Sequence, residues 1–339
     1  MAFEGFVVSD WYEHKSGVGS ANAGLDVVMP VAPLWARGPA GGMVRNGSVS
    51  EARVDDMVKR VVAAAWRFAD FDAGTGISFN LTQAHSLLTL GAVEGHVLVK
   101  NVKNALPLQN LDSFPFLVMT PCADQTVTGP EIALNGTLTT GGGSDASIGS
   151  NIDAPLDAIR RQAYEDDTAM AWDVQSPAPL VNKASEACFV FINAQASESW
   201  DRKNLTDSYS DNIVTTVANQ CNNTMVIIHT AGVRLVDAWY DHPNVTAIII
   251  GHLPGQDSGR ALVEILYGKQ SPSGRMPYTV AKKESDYGVT LDPDFPSEGH
   301  ALLPTVKFHR GHLHRLQAFW RNIPLSSLPF WLRSKVLRV

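Results

Sequence analysis

The sequence predicts a doubly wound α/β domain, and three observations carry that prediction. Four short runs, PFLVMT, ACFVFINA, TMVIIHT and VTAIIIG, are continuously apolar instead of alternating, as expected of parallel strands covered on both faces. Helical patterns such as DNIVTTVANQC and DSGRALVEILYG lie between them, giving a β/α rhythm from about Phe116 to Tyr278. At 339 residues the chain also exceeds the size at which one core usually stops growing, so a second domain is expected.

The elements follow in order. The opening GFVVSDW reads as a short apolar strand over residues 5–9 that ends on Asp10 and Trp11. In SVSEARVDDMVKRVVAAAWRFADF, Ser48 and Glu51 have the spacing of a capping box, and Val54, Met57, Val58, Val61, Ala65 and Trp66 recur at helical intervals. That pattern predicts an amphipathic helix with one face packed. The stretch FDAGTGISFN, residues 71–80, has the glycine content of a linker. A second helix is expected from about Gln83 to Glu94, before the α/β rhythm begins.

Composition narrows the function. A formal charge of -7 argues against nucleic acid as a partner, because phosphate binding needs a basic face. No apolar run is long enough to span a bilayer. Cys122, Cys188 and Cys221 show no metal-ligand spacing; two of them could form one bridge. Six N-x-[ST] sequons, at Asn46, Asn80, Asn135, Asn204, Asn222 and Asn244, favour a glycosylated, secreted protein. The N-terminus carries no signal peptide, so a secreted product is expected to have lost it from this chain.

From Gly299 onward the composition changes, with seven Lys/Arg, four His and no Asp or Glu. Residues 299–339 are an unassigned basic tail, for which a misassigned reading frame or retained intron is as good an account as a membrane-surface or nucleic-acid arm. His312 and His314 lack a third metal ligand. TTGGGSDAS lacks the lysine of a phosphate loop. His229 and His252 end apolar runs and are expected to be satisfied polar strand ends.

Taken together, GFVVSDW with SGVGSANAGLDVVMP, then GAVEGHVLVKNVKNALPL, GGGS, FINAQASESWDR, QCNNTMVIIHTAG and HLPGQDSGRALVEILYGKQSPSGRMPYTVAKKESDYG resemble, in order, glycoside hydrolase family 3, especially fungal secreted β-glucosidases. The resemblance covers about Phe3 to Pro296. It implies a C-terminal remnant of a (β/α)8-type barrel over residues 1–70, a linker over 71–82, and an α/β sandwich over 83–290.

The resemblance also implies a retaining glycosidase that needs no metal or cofactor and acts on terminal non-reducing β-D-glucosyl residues, as in cellobiose during cellulose breakdown. Asp10 matches the nucleophile and Glu198 the acid/base, while Trp11 and Ser144 match substrate contacts. Ser199 stands where many relatives have glycine, which leaves Asp201 and Glu186 as competing carboxylates; Arg202 either anchors this loop or forms a surface pair. Because the chain begins just before the nucleophile strand, most of the barrel and its glycone pocket are expected to be missing, and little turnover by this chain alone. Alternatives are another exo-β-glycosidase such as a β-xylosidase, a non-catalytic carbohydrate-binding derivative, and, from the strand pattern alone, a nucleotide-binding protein.

Overall fold

The computed structural model describes residues 3–14, 16–36, 42–68, 81–108, 115–119, 137–145, 151–198, 202 and 204–287. Of the expected linker over 71–82, residues 71–80 lie outside the described residues, as do Cys122, Asp201 and the basic tail, whereas residues 81–82 open a helix. The chain divides into two compact units, with the boundary between Ile77 and Ser78.

Among the described residues, the first unit contains three short helices, α1 (Val18–Asn22), α2 (Pro33–Ala36) and α3 (Gly42–Arg45), and the long α4 (Glu51–Phe68). The run expected to form a strand at residues 5–9 forms, among the described residues, only an isolated bridge, Val8 to Val27, parallel. An apolar run becomes a ladder only when a neighbouring strand accepts its hydrogen bonds over its length, and here the pairing is local.

Helix α4 forms where its periodicity predicted, but its start differs. The Ser50 hydroxyl accepts the Arg53 N–H at 3.2 Å, so Ser50 is the N-cap. Ser48 instead donates its backbone N–H to Asn46 Oδ1 at 2.9 Å, in a turn before the helix. The expected packed face is also incomplete: Val54, Met57 and Val61 are half-buried, whereas Val58 and Trp66 are 55% and 83% exposed.

The second unit is built on a six-stranded sheet. Its strands are β1 (Val97–Asn101), β2 (Pro115–Met119), β3 (Ala171–Asp173), β4 (Ala187–Ala194), β5 (Thr224–Thr230) and β6 (Val245–His252), in the order β1-β6-β5-β4-β2-β3. All pairs are parallel except β1 with β6. An antiparallel strand on the edge of an otherwise parallel sheet is common in such folds.

Alternate side chains of the central strands feed two cores. Phe189, Phe191, Met225, Ile227, Ala247 and Ile249 pack on one face, with α5 (Leu81–Gly95), α6 (Pro155–Glu165) and α9 (Ser258–Leu266). On the other face Cys188, Val190, Ile192, Val226, Ile228, Ile248 and Ile250 meet α7 (Ser208–Ala218) and α8 (Asp237–Tyr240). This two-sided burial explains the unbroken apolar runs. Helix α7 begins three residues earlier than its apolar pattern indicates because the Asp207 carboxylate caps it, accepting from the N–H groups of Tyr209 and Ser210 at 3.0 and 3.2 Å. The Cys188–Cys221 disulfide ties β4 to the chain following α7.

Candidate active-site residues

In the sheet unit, the strand order reverses between β2 and β4: β3 lies on one side of β2 and β4 on the other. Open α/β sheets leave a crevice at such a reversal, beyond the carboxyl ends of the strands. The segments 137–145 and 195–198 lie at the carboxyl ends of β4 and β5, and Gly142 forms a parallel bridge with Ser197.

Two glycines are required by this approach. A Cβ on Gly142 would fall 2.0 Å from Ser197 Oγ, and one on Gly143 would fall 2.3 Å from the Glu198 Cβ. Gly143 also has φ of +83°, a left-handed conformation that side chains disfavour. Below them the segment is fastened to the sheet. The Leu138 N–H donates to Asn193 Oδ1 on β4 at 3.2 Å, and Thr139 O accepts the Gly255 N–H at 2.9 Å.

Glu198 projects from the loop four residues beyond the end of β4 and is exposed. Its Oε2 accepts the Ser144 backbone N–H at 2.6 Å. That bond, followed by one from the Ser144 side chain, holds the Glu198 carboxyl below the usual carboxylate range, against a smaller opposing effect of desolvation. Glu198 and Ser144, singled out separately in the sequence, are therefore direct partners. The ionised carboxylate is ready to accept a proton; donating one requires an environment that raises its pKa.

Of the competing carboxylates, Glu186 is described, and it does not share this place. Glu186 immediately precedes β4, at the opposite end of the strand. Arg202 donates through Nη2 to Val233 O, which ties the loop after β4 to the chain after β5. Its Nε and Nη1 are buried without a hydrogen-bond partner among the described residues. Desolvation, then repulsion from Arg234, pushes its pKa down. His252 is satisfied, with Nε2 3.1 Å from the Tyr278 hydroxyl. His229 is not fully satisfied among the described residues: its Nδ1 lies 3.4 Å from Thr137 Oγ1 and its Nε2 has no partner there.

In the first unit, hydrogen bonds bracket Asp10. The Ser9 N–H donates to Val27 O at 2.9 Å, and the Tyr12 N–H to Met29 O at 3.0 Å. The Asp10 carboxylate accepts the Trp11 N–H at 2.6 Å through Oδ1. Asp10 is exposed, and Trp11 is 57% exposed, so the indole caps no core here.

Sequence reasoning overlooked what fixes this segment. Asp26 is buried; its Oδ2 accepts the Val7 N–H at 2.8 Å and its Oδ1 pairs with Arg53 at 2.8 Å. Arg53 also donates to the carbonyls of Ala21 and Leu25. The available signal was an acid within an apolar stretch, GLDVVMP, followed by an arginine in a helix otherwise read for its apolar face.

Among the described residues, no group of three or more His, Cys, Asp or Glu is placed to hold a metal ion, and no helix is long and apolar enough to cross a membrane.

Residues 96–314 match the model of the glycosyl hydrolase family 3 C-terminal domain. The chain is 44% identical over 345 residues to a probable beta-glucosidase M of Aspergillus niger, covering 94% of this chain and 44% of that protein. It is 44% identical over 334 residues to beta-glucosidase cel3A of Pyricularia oryzae, covering 85% and 42%. Among solved structures, a beta-D-glucoside glucohydrolase from Trichoderma reesei superposes with a TM-score of 0.71 at 30% identity, over 86% of this chain and 44% of that one. The chain thus spans less than half the length of these relatives. The matched region, the sheet order and the ordered motifs agree: the chain belongs to glycosyl hydrolase family 3.

Proposed function

We propose that this chain contributes the two carboxylates of a retaining β-glucosidase, Asp10 as nucleophile and Glu198 as acid/base. Retaining hydrolysis uses two carboxyl groups about 5–5.5 Å apart across the scissile bond. Asp10 attacks the anomeric carbon to form a glycosyl-enzyme while Glu198 protonates the leaving oxygen. Glu198 then takes a proton from water, which releases the sugar with retained configuration. Ser144 and Trp11 contact the substrate, a terminal non-reducing β-D-glucoside such as cellobiose.

The observation that carries this reading is Glu198 beyond the carboxyl end of β4, fastened by Ser144 across a glycine-only approach. The β-glucosidase names of its relatives supply the substrate class. Two-carboxylate chemistry needs no metal or organic cofactor. A specific observation favours a second reading, carbohydrate binding without turnover: the hydrogen bonds from Ser144 favour the ionised form of Glu198, whereas the first step needs the acid.

We further infer secretion and glycosylation. The Cys188–Cys221 disulfide suits an oxidising compartment. Asn46, Asn204 and Asn222 are exposed and open to glycans. Asn244 is half-buried and donates its Nδ2 to Ala218 O at 2.8 Å, so occupancy is expected to be lowest there. Asn80 and Asn135 lie outside the described residues.

Incubation with a 2-deoxy-2-fluoro-β-glucoside bearing a good leaving group tests the catalytic reading. It is expected to add one fluoroglucosyl mass to the peptide containing Asp10. In Glu198→Ala, azide should bring turnover of p-nitrophenyl β-D-glucoside back to the low level expected of the unsubstituted chain. A folded chain that binds cellobiose but shows neither labelling nor hydrolysis selects the binding reading, and preferential labelling by the corresponding xyloside selects β-xylosidase.

A further inference from the structure

Two fully buried histidines near the carboxyl edge of the sheet have no part in the proposed chemistry. His96 immediately precedes β1, and His229 lies near the end of β5; both are 0% exposed. Among the described residues, the Nε2 atom of each lacks a hydrogen-bond partner. Buried polar atoms are almost always paired, with protein or with water, so two orphans in one place require a partner.

The two nitrogens converge. A Cβ built on Gly251 would lie 3.1 Å from His96 Nε2 and 3.3 Å from His229 Nε2. Gly251 has no left-handed φ, so its backbone conformation does not call for glycine; the close approach of the two rings, with His229 Cδ2 3.0 Å from that Cβ, does.

The chemistry on one side is fixed. His96 Nδ1 lies 2.5 Å from Ala92 O, and because a carbonyl only accepts, Nδ1 carries the proton. Neutral His96 therefore presents a bare Nε2 lone pair. Burial, above all, keeps both rings neutral, with His229 pushed down to about 3. On the other side, the Thr137 hydroxyl can either donate to or accept from His229 Nδ1, so His229 Nε2 can serve in either sense.

We propose that one internal water occupies the space beside Gly251 and bridges His96 Nε2 to His229 Nε2. It donates one hydrogen to His96 and either accepts from or donates to His229. The bridge joins the entry of β1 to the end of β5 across Gly251 of β6. Buried waters characteristically satisfy otherwise orphaned polar groups of this kind. A metal ion fits less well, because structural and catalytic zinc sites take at least three protein ligands, and no such cluster exists among the described residues.

The proposal concerns the sheet unit alone and stands apart from the proposed catalysis. Its test is a crystal structure of the chain at a resolution that orders water, with diffraction recorded at the zinc and copper edges. The expected result is one isolated peak about 2.7–3.2 Å from both Nε2 atoms, without anomalous signal. An empty space, a direct nitrogen–nitrogen contact or an anomalous peak overturns the proposal. Gly251→Ala should lose the peak and melt at a lower temperature, and a peak retained in that variant also overturns it. If Gly251→Ala does not fold, the wild-type map alone decides.

Discussion

Phe6-Val7-Val8 and Val226-Ile227-Ile228 are runs of the same chemical kind that end in opposite environments. The first three are between 37% and 49% exposed, and the second three are 0% exposed. The second run has a strand on each side and a helical layer on each face. The first has one bridge, to Val27. Apolarity makes a run eligible for burial, but neighbours able to take its backbone hydrogen bonds and cover its side chains decide the outcome.

The sharpest way to break this comparison is to truncate one residue in each region. Phe191→Ala should cost about 3–5 kcal/mol, because it opens a cavity in the closed core. Phe6→Ala should stay within about 1 kcal/mol. Urea unfolding of both variants checks the difference, and equal costs would mean that the first unit has a core as tight as the second. Next in size is the disulfide. Cys188 and Cys221 are 33 residues apart, so replacing both with alanine should cost about 3–4 kcal/mol by loop-closure entropy. Wild type should lose a similar amount on reduction.

Acid probes the same core through His229, whose ordinary pKa of 6.5 falls to about 3 on burial, with nearby His96 adding to the effect. Below pH 6.5 the unfolded chain binds a proton that the folded chain refuses, so stability falls as pH drops from about 6.5 towards 3. The slope should reach about 1.4 kcal/mol per pH unit for this group. His229→Leu should flatten that part of the stability–pH curve.

In the first unit, Ser50→Ala should cost about 1 kcal/mol by removing the α4 cap, whereas Ser48→Ala should be nearly silent. Helicity measured through mild denaturation separates the two. The smallest effect is at Glu198: Ser144→Ala should raise its pKa towards the ordinary 4.5 without fully restoring it, since the backbone N–H remains. Carboxyl-carbon NMR reads this directly. Because the folded pKa is depressed, any stability from this contact is present above pH 4.5 and is lost as pH falls through the folded value.

Much of the sheet was legible because its signal is local. A strand covered on both faces must be apolar at every position, and four such runs became β2, β4, β5 and β6. The edge strands were not, since β3 is only three residues long and β1 pairs antiparallel. Among the candidate residues, motif order pointed to Asp10 and Trp11 in the first unit and to Ser144 and Glu198 in the second. It did not reveal that Ser144 bonds Glu198, or that Asp26 and Arg53 brace the backbone before Asp10.

By itself, then, the sequence determined the family, the central strands and the residue types available for chemistry, because periodicity and motif order are properties of neighbouring positions. Tertiary structure decided which apolar face is closed, which serine caps α4, which carboxylate Ser144 holds and why position 251 is glycine. Each of those depends on a contact between residues far apart in the chain or on a choice among equally suited local groups. Such choices are settled by which donors, acceptors and surfaces the fold brings within reach.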